Sequence, residues 1–106
     1  MSAMNLIAVI TTTDTLEEAQ RIAHYLVEQR LVACAQISSI ESYYRWKDQV
    51  EHAQEYRLLL KTTEARYPEV EQAIRRFHSY ELPAIFALPV SQAFSEYVRW
   101  VEESTT

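Results

Sequence analysis

Apolar and polar positions alternate with three different periods along this chain of 106 residues. Leu6 to Thr12 is a short, nearly continuous apolar run rich in β-branched side chains, the pattern of a strand buried on both faces. Asp14 with Glu17, or Thr15 with Glu18, then offers a capping box. Leu16, Ala19, Ile22, Ala23, Leu26 and Val27 follow at helical spacing, which predicts a helix over 16–30. From Val32 to Trp46 there is no helical stripe but many Val, Ile, Ser and Tyr residues, so the segment reads as a strand. A turn at Lys47, Asp48 and Gln49 leads to a partner strand, Val50 to Thr62, in which Tyr56, Leu58 and Leu60 alternate with Arg57, Leu59 and Lys61. Pro68 opens a second helix whose buried stripe is Tyr67, Val70, Ala73, Ile74 and Phe77. Pro83 stops that helix, leaving Ser79 to Leu82 as a loop, and Ala84 to Leu88 reads as a short strand ended by Pro89. A last helix spans about 93–103 with Tyr97, Val98, Trp100 and Val101 on it, and Ser104 to Thr106 is expected to fray.

The order strand, helix, strand, strand, helix, strand, with an extra C-terminal helix, predicts an α+β fold of the split βαβ, ferredoxin-like kind, with residues 1–106 as one domain. The central hairpin constrains it further. A strand of ~15 residues extends ~50 Å, whereas a compact chain of this size has a radius of gyration of only ~13 Å. The hairpin must overhang its own domain. Its unpaired edges and the rings of Tyr43, Tyr44 and Trp46 then need burial in another subunit, so a closed homo-oligomer is expected.

Composition narrows the function classes. A formal net charge of -5, with the Lys and Arg residues scattered, argues against nucleic-acid binding, which depends on clustered cations. No apolar run approaches a membrane span, and the start, Met1 to Asn5, lacks the basic and apolar regions of a secretory signal. One cysteine, Cys34, excludes an internal disulfide and suits a reducing compartment, so a soluble cytoplasmic protein without membrane contact is expected. There is no glycine anywhere, although glycine is the residue that most readily takes positive φ in turns and helix caps. Asp48 is the expected substitute at the hairpin turn, because Asp tolerates the left-handed region.

Several segments together resemble the divalent-cation tolerance proteins called CutA. They are Ala33, Cys34 and Ala35 after the first helix; Tyr44, Arg45 and Trp46 before the turn; Glu55, Lys61 and Thr62 in the long strand; His78 to Pro83 with Ile85; and Tyr97 with Trp100. The resemblance implies a ferredoxin-like subunit, a tight homotrimer built like the nitrogen-regulatory signalling proteins, and an association with copper and other divalent cations. Asp48, Ser39 and Ala93 stand where that family commonly has glycine, and Gln36 where it commonly has asparagine. These departures bear on turn geometry.

His78 and Glu81 are the best candidate metal-ligand pair, since imidazole and carboxylate both accept borderline divalent cations and lie three residues apart at a loop. Two ligands are fewer than zinc or copper usually takes, so a tight site would have to recruit Cys34 or groups from neighbouring subunits. Hydrogen bonding that locks the loop before Pro83 explains the same residue types and is the favoured reading of the pair. Cys34, between alanines in a strand, reads first as a small buried hydrophobe and only second as a ligand. Cysteine catalysis would need His78 beside it, and an enzyme is not expected. His24 and His52 read as solvated. Tyr44, Trp46, Tyr80 and Trp100, with Glu55 and Lys61, are expected at an intersubunit cleft or interface. The leading expectation is a cytoplasmic homotrimer that binds divalent metal, with copper the candidate ion, and serves in metal tolerance. The alternative is a trimeric signalling or scaffold protein whose clefts bind a small organic anion or a partner protein through Lys61, Tyr44 and Trp46.

Overall fold

The computed structural model describes residues 5–106. Met1 to Met4, most of the start read above for a targeting signal, lie outside the described residues. The elements run β1 (Leu6–Thr13), α1 (Leu16–Glu28), β2 (Cys34–Trp46), β3 (Gln49–Thr63), a 3₁₀ turn (Glu64–Arg66), α2 (Tyr67–Phe77), β4 (Ile85–Pro89) and α3 (Ser95–Ser104). The four strands form one antiparallel sheet in the order β2-β3-β1-β4, so β2 and β4 are its edges. This is the expected α+β, ferredoxin-like arrangement with a long central hairpin and an added C-terminal helix.

Strand alternation decides which face each side chain serves. Ile7, Val9, Leu58 and Leu60 share one face with Ala19, Ile22, Leu26, Val70, Ala73 and Ile74 from α1 and α2, and together they make the main core. Leu16 and Val27, counted above in the buried stripe of α1, are instead exposed, because the helix contacts the sheet over a narrower arc than its apolar positions span. On the opposite face α3 covers only one end, where Val98 and Val101 pack on Leu6. The expectation that β1 is buried on both faces therefore holds only in part: Ala8 and Ile10 are half-buried, and Phe86 and Leu88 beside them in register are exposed.

The last pair between β1 and β3 is Thr13 with Tyr56, so the stretch from Gln49 to Glu55 and its mate, Ile40 to Trp46, continue as a two-stranded ribbon beyond the sheet. The chain is accordingly elongated, 46 Å along its longest axis and 22 Å along its shortest. Lys47 and Asp48, at φ 51° and 66°, form a two-residue loop closed by the Trp46–Gln49 pair, the primed-turn geometry that suits strand twist. Among the described residues Arg30 also has positive φ, at 60°. There the Leu31 amide reaches back to the Leu26 carbonyl and closes α1 two residues before the sequence-based boundary.

The C-terminus is a correction. Thr105 is buried, its hydroxyl donates to the Val101 carbonyl at 2.9 Å, and its carbonyl accepts from Arg66 Nε at 2.7 Å. Arg30 donates to the carbonyls of Glu103 and Thr106, so the end that was expected to fray is pinned by two guanidinium groups. No helix among the described residues is long and apolar enough to cross a membrane.

Candidate functional site

The loop from His78 to Ala84 crosses the end of β1 and approaches the root of the ribbon. It is held there by His78, whose amide caps α2 by donating to the Ile74 carbonyl. The imidazole side chain is 1% exposed. Nε2 lies 2.7 Å from the Thr12 carbonyl, which can only accept, so Nε2 carries the proton; Nδ1 then accepts from the Tyr80 amide at 3.2 Å. Both ring nitrogens are thus engaged in positioning the loop. Glu18 holds the next residue, accepting from the Ser79 amide and hydroxyl, each at 2.9 Å, while its Oε2 lies 3.6 Å from His78 Nδ1. Of the two capping pairs offered by the sequence, Thr15 and Glu18 form the cap, Thr15 Oγ1 accepting from the Glu18 amide. The Glu18 carboxylate reaches not back to the cap but across to Ser79.

So fixed, the loop turns Tyr80 onto Glu55, the first ribbon residue past the end of β1. The Tyr80 hydroxyl donates to Glu55 Oε2 at 2.6 Å, a charge-assisted distance, and Thr12 Oγ1 donates to the same oxygen at 3.4 Å. Burial, then the Glu55 hydrogen bond and charge, with smaller effects of Asp14 and Tyr44, push the Tyr80 phenol well above its ordinary range. The proton therefore stays on the tyrosine. Between ribbon and loop lies a cleft of about 700 Å³ lined by Tyr44, Arg45, Trp46, Glu55, Tyr80 and Glu81, among others.

The structure brings Tyr44, Trp46, Glu55, Tyr80 and Glu81 together in this cleft. It does not bring in Lys61, which pairs with Cys34 further along the sheet and donates to Gln36 Oε1 at 2.6 Å. Trp100 lies on α3 against Tyr97, with ring centroids 5.6 Å apart. Cys34 is half-buried at the start of β2, four residues along β3 from the position opposite Thr12. It is therefore not beside His78, which contacts Thr12. His24 and His52 are exposed, His52 stacked on Tyr43. Among the described residues no three His, Cys, Asp or Glu side chains cluster in a way that could hold a metal ion. Sequence reasoning missed Thr12 and Glu18, whose residue types carry no signal of contacts made across 61 to 66 residues of chain.

The model of the family described as CutA1 divalent ion tolerance protein matches residues 7–104. The divalent-cation tolerance protein CutA of Thermus thermophilus is 40% identical over 98 residues, covering 92% of this chain and 95% of that one. Human protein CutA is 35% identical over 99 residues, covering 92% of this chain and 55% of the human one. Among solved structures, the CutA of Archaeoglobus fulgidus, described as a periplasmic divalent cation tolerance protein, superposes with a TM-score of 0.93 at 34% identity, covering 95% of this chain and 99% of that one. The CutA of Xylella fastidiosa also gives 0.93, at 30% identity and 96% and 99% coverage.

Proposed function

The chain belongs to the CutA1 divalent ion tolerance protein family, and from that premise we propose that it serves in tolerance of divalent cations as a cytoplasmic homotrimer and not as an enzyme. Its relatives are named for divalent-cation tolerance, a name that describes no reaction. The observation that carries the proposal is the position of the acidic groups: Glu55 and Glu81 line one cleft at the foot of an overhanging ribbon, where neighbouring copies meet in the assembly we propose. Copper is the candidate ion because Cu²⁺ leads the affinity order for nitrogen and oxygen donors. Of the three ligands expected from the sequence, Glu81 is exposed in the cleft and free to ligate. His78 must first release Nδ1 from the Tyr80 amide, and Cys34 pairs with Lys61 away from the cleft of its own protomer, so it would join the site from a neighbouring copy. The unpaired thiol suits the reducing cytoplasm.

Calorimetric titration of the assembled protein with Cu²⁺ tests this. Glu81→Ala is expected to weaken binding at least tenfold, and His78→Ala to weaken it less, through the loop it positions. Isotherms indistinguishable from wild type for Glu81→Ala would remove the cleft as the metal site.

A further inference from the structure

Glu55 is a buried carboxylate, 6% exposed, without an ion-pair partner among the described residues. Both of its hydrogen-bond partners, the hydroxyls of Tyr80 and Thr12, donate to Oε2, so the group acts purely as an acceptor, as an ionised carboxylate does. Among the described residues Oε1 receives no donor. Nor is it sealed in, because the only fully buried side-chain oxygen or nitrogen without a partner among the described residues is Thr11 Oγ1. Oε1 therefore keeps some access to solvent, and Glu55 lines the cleft. A desolvated charge without a counter-charge is costly, so the carboxylate favours a cationic partner.

The walls say which kind of cation. Tyr44, Trp46 and Tyr80 present aromatic surface, and the lining includes Leu82 and Ala84. Ring faces attract ammonium groups and pack against carbon chains, but they do not replace the several oxygen or nitrogen ligands a divalent metal needs. Trp46 already has the Lys47 ammonium 5.7 Å from its ring centroid. A volume of about 700 Å³ is that of a small-molecule site, far larger than a metal cage requires. Arg45 is the one basic side chain in the lining, against the two carboxylates of Glu55 and Glu81, so the balance of charge is negative.

We infer that the cleft binds a small organic cation of the alkylammonium class, its charged head on Glu55 Oε1 and its carbon chain against Tyr44, Trp46 and Tyr80. This rests on the assembly proposed above but not on its metal: Glu55 and Glu81 line one cleft, and titration in chelator reads an amine on Glu55 apart from any metal on Glu81. His78 and Glu18 act as positioning residues, since they fix the loop that carries Tyr80.

The test is titration of the assembled protein with n-butylamine hydrochloride at neutral pH, followed by saturation-transfer NMR, with chelator present throughout so that metal plays no part. Butylammonium is expected to bind saturably, and 1-butanol and butyrate are expected not to compete. Glu55→Gln keeps the shape and an acceptor for Tyr80 but removes the charge; it is expected to weaken binding at least tenfold. Trp46→Leu, which leaves Glu55 untouched, is expected to weaken it about threefold or more, and it serves if Glu55→Gln does not assemble. Equal binding in either variant would overturn the inference. So would no binding in wild type; dissociation of the Glu55→Gln assembly would then assign Oε1 to a basic side chain of a neighbouring copy.

Discussion

At the scale of single residues, the site rests on buried acceptors and the donors that reach them. Thr12 offers its carbonyl to His78 and its hydroxyl to Glu55, so one residue at the end of β1 ties the loop to the ribbon. Tyr80 completes the tie through its 2.6 Å bond to Glu55. Replacing Tyr80 by Phe leaves the carboxylate with only the long Thr12 contact, and a lost hydrogen bond to a charged group is expected to cost about 1–3 kcal/mol in urea denaturation. The same variant has a pH signature. The folded state holds the Tyr80 proton more tightly than the unfolded chain does, so this contribution is complete below the ordinary tyrosine range near ~10 and is lost as pH rises beyond it. Wild type should therefore lose more stability than Tyr80→Phe when the two are compared at pH 8 and at pH 11. Parallel losses in the two proteins would show that burial and the bond to Glu55 do not hold the proton.

At the scale of elements, periodicity made most of the fold legible. The apolar spacing of α2 located Val70, Ala73 and Ile74 in the core, and Pro68 and Pro83 marked where that helix begins and where it cannot resume. The length of the 34–63 hairpin was equally readable, and with it the overhang. What sequence could not show was how elements distant along the chain meet. The C-terminal residues look frayed when read locally, since Ser and Thr are weak helix formers, yet Arg30 and Arg66 hold their carbonyls. Glu18 reads as a capping residue and serves Ser79 instead. For the same reason Lys61 and Glu55, though on one strand and one face, belong to different ends of the sheet. The turn without glycine is a quantitative case. Asp48 holds φ at 66°, where an L-residue pays roughly 1–2 kcal/mol relative to the right-handed region. Asp48→Gly is thus expected to raise stability by up to about 1 kcal/mol, less than the full relief because glycine also loosens the unfolded chain. A lower guanidinium midpoint for Asp48→Gly at equal protein concentration would mean that the Asp48 side chain makes an interaction worth more than the strain.

At the scale of the whole molecule, one protomer leaves its sheet unfinished. Ile10 and Leu59, cross-strand neighbours on the face away from α1 and α2, are only half-buried; Phe86, opposite Ile10 on β4, is exposed. The ribbon carries Tyr43, Tyr44 and Val50 into solvent, and a two-stranded ribbon is marginally stable in water by itself. An apolar half-face and an unsupported ribbon are the surfaces that a cyclic assembly buries, and the proposed cleft lies where the ribbon leaves the sheet. Assembly is therefore the claim on which both the metal reading and the shape of the cleft depend. Sedimentation equilibrium across dilution to nanomolar concentration tests it most directly. One species at three times the 12.4 kDa chain mass is expected to persist through the dilution; a folded species at the single-chain mass would overturn the assembly.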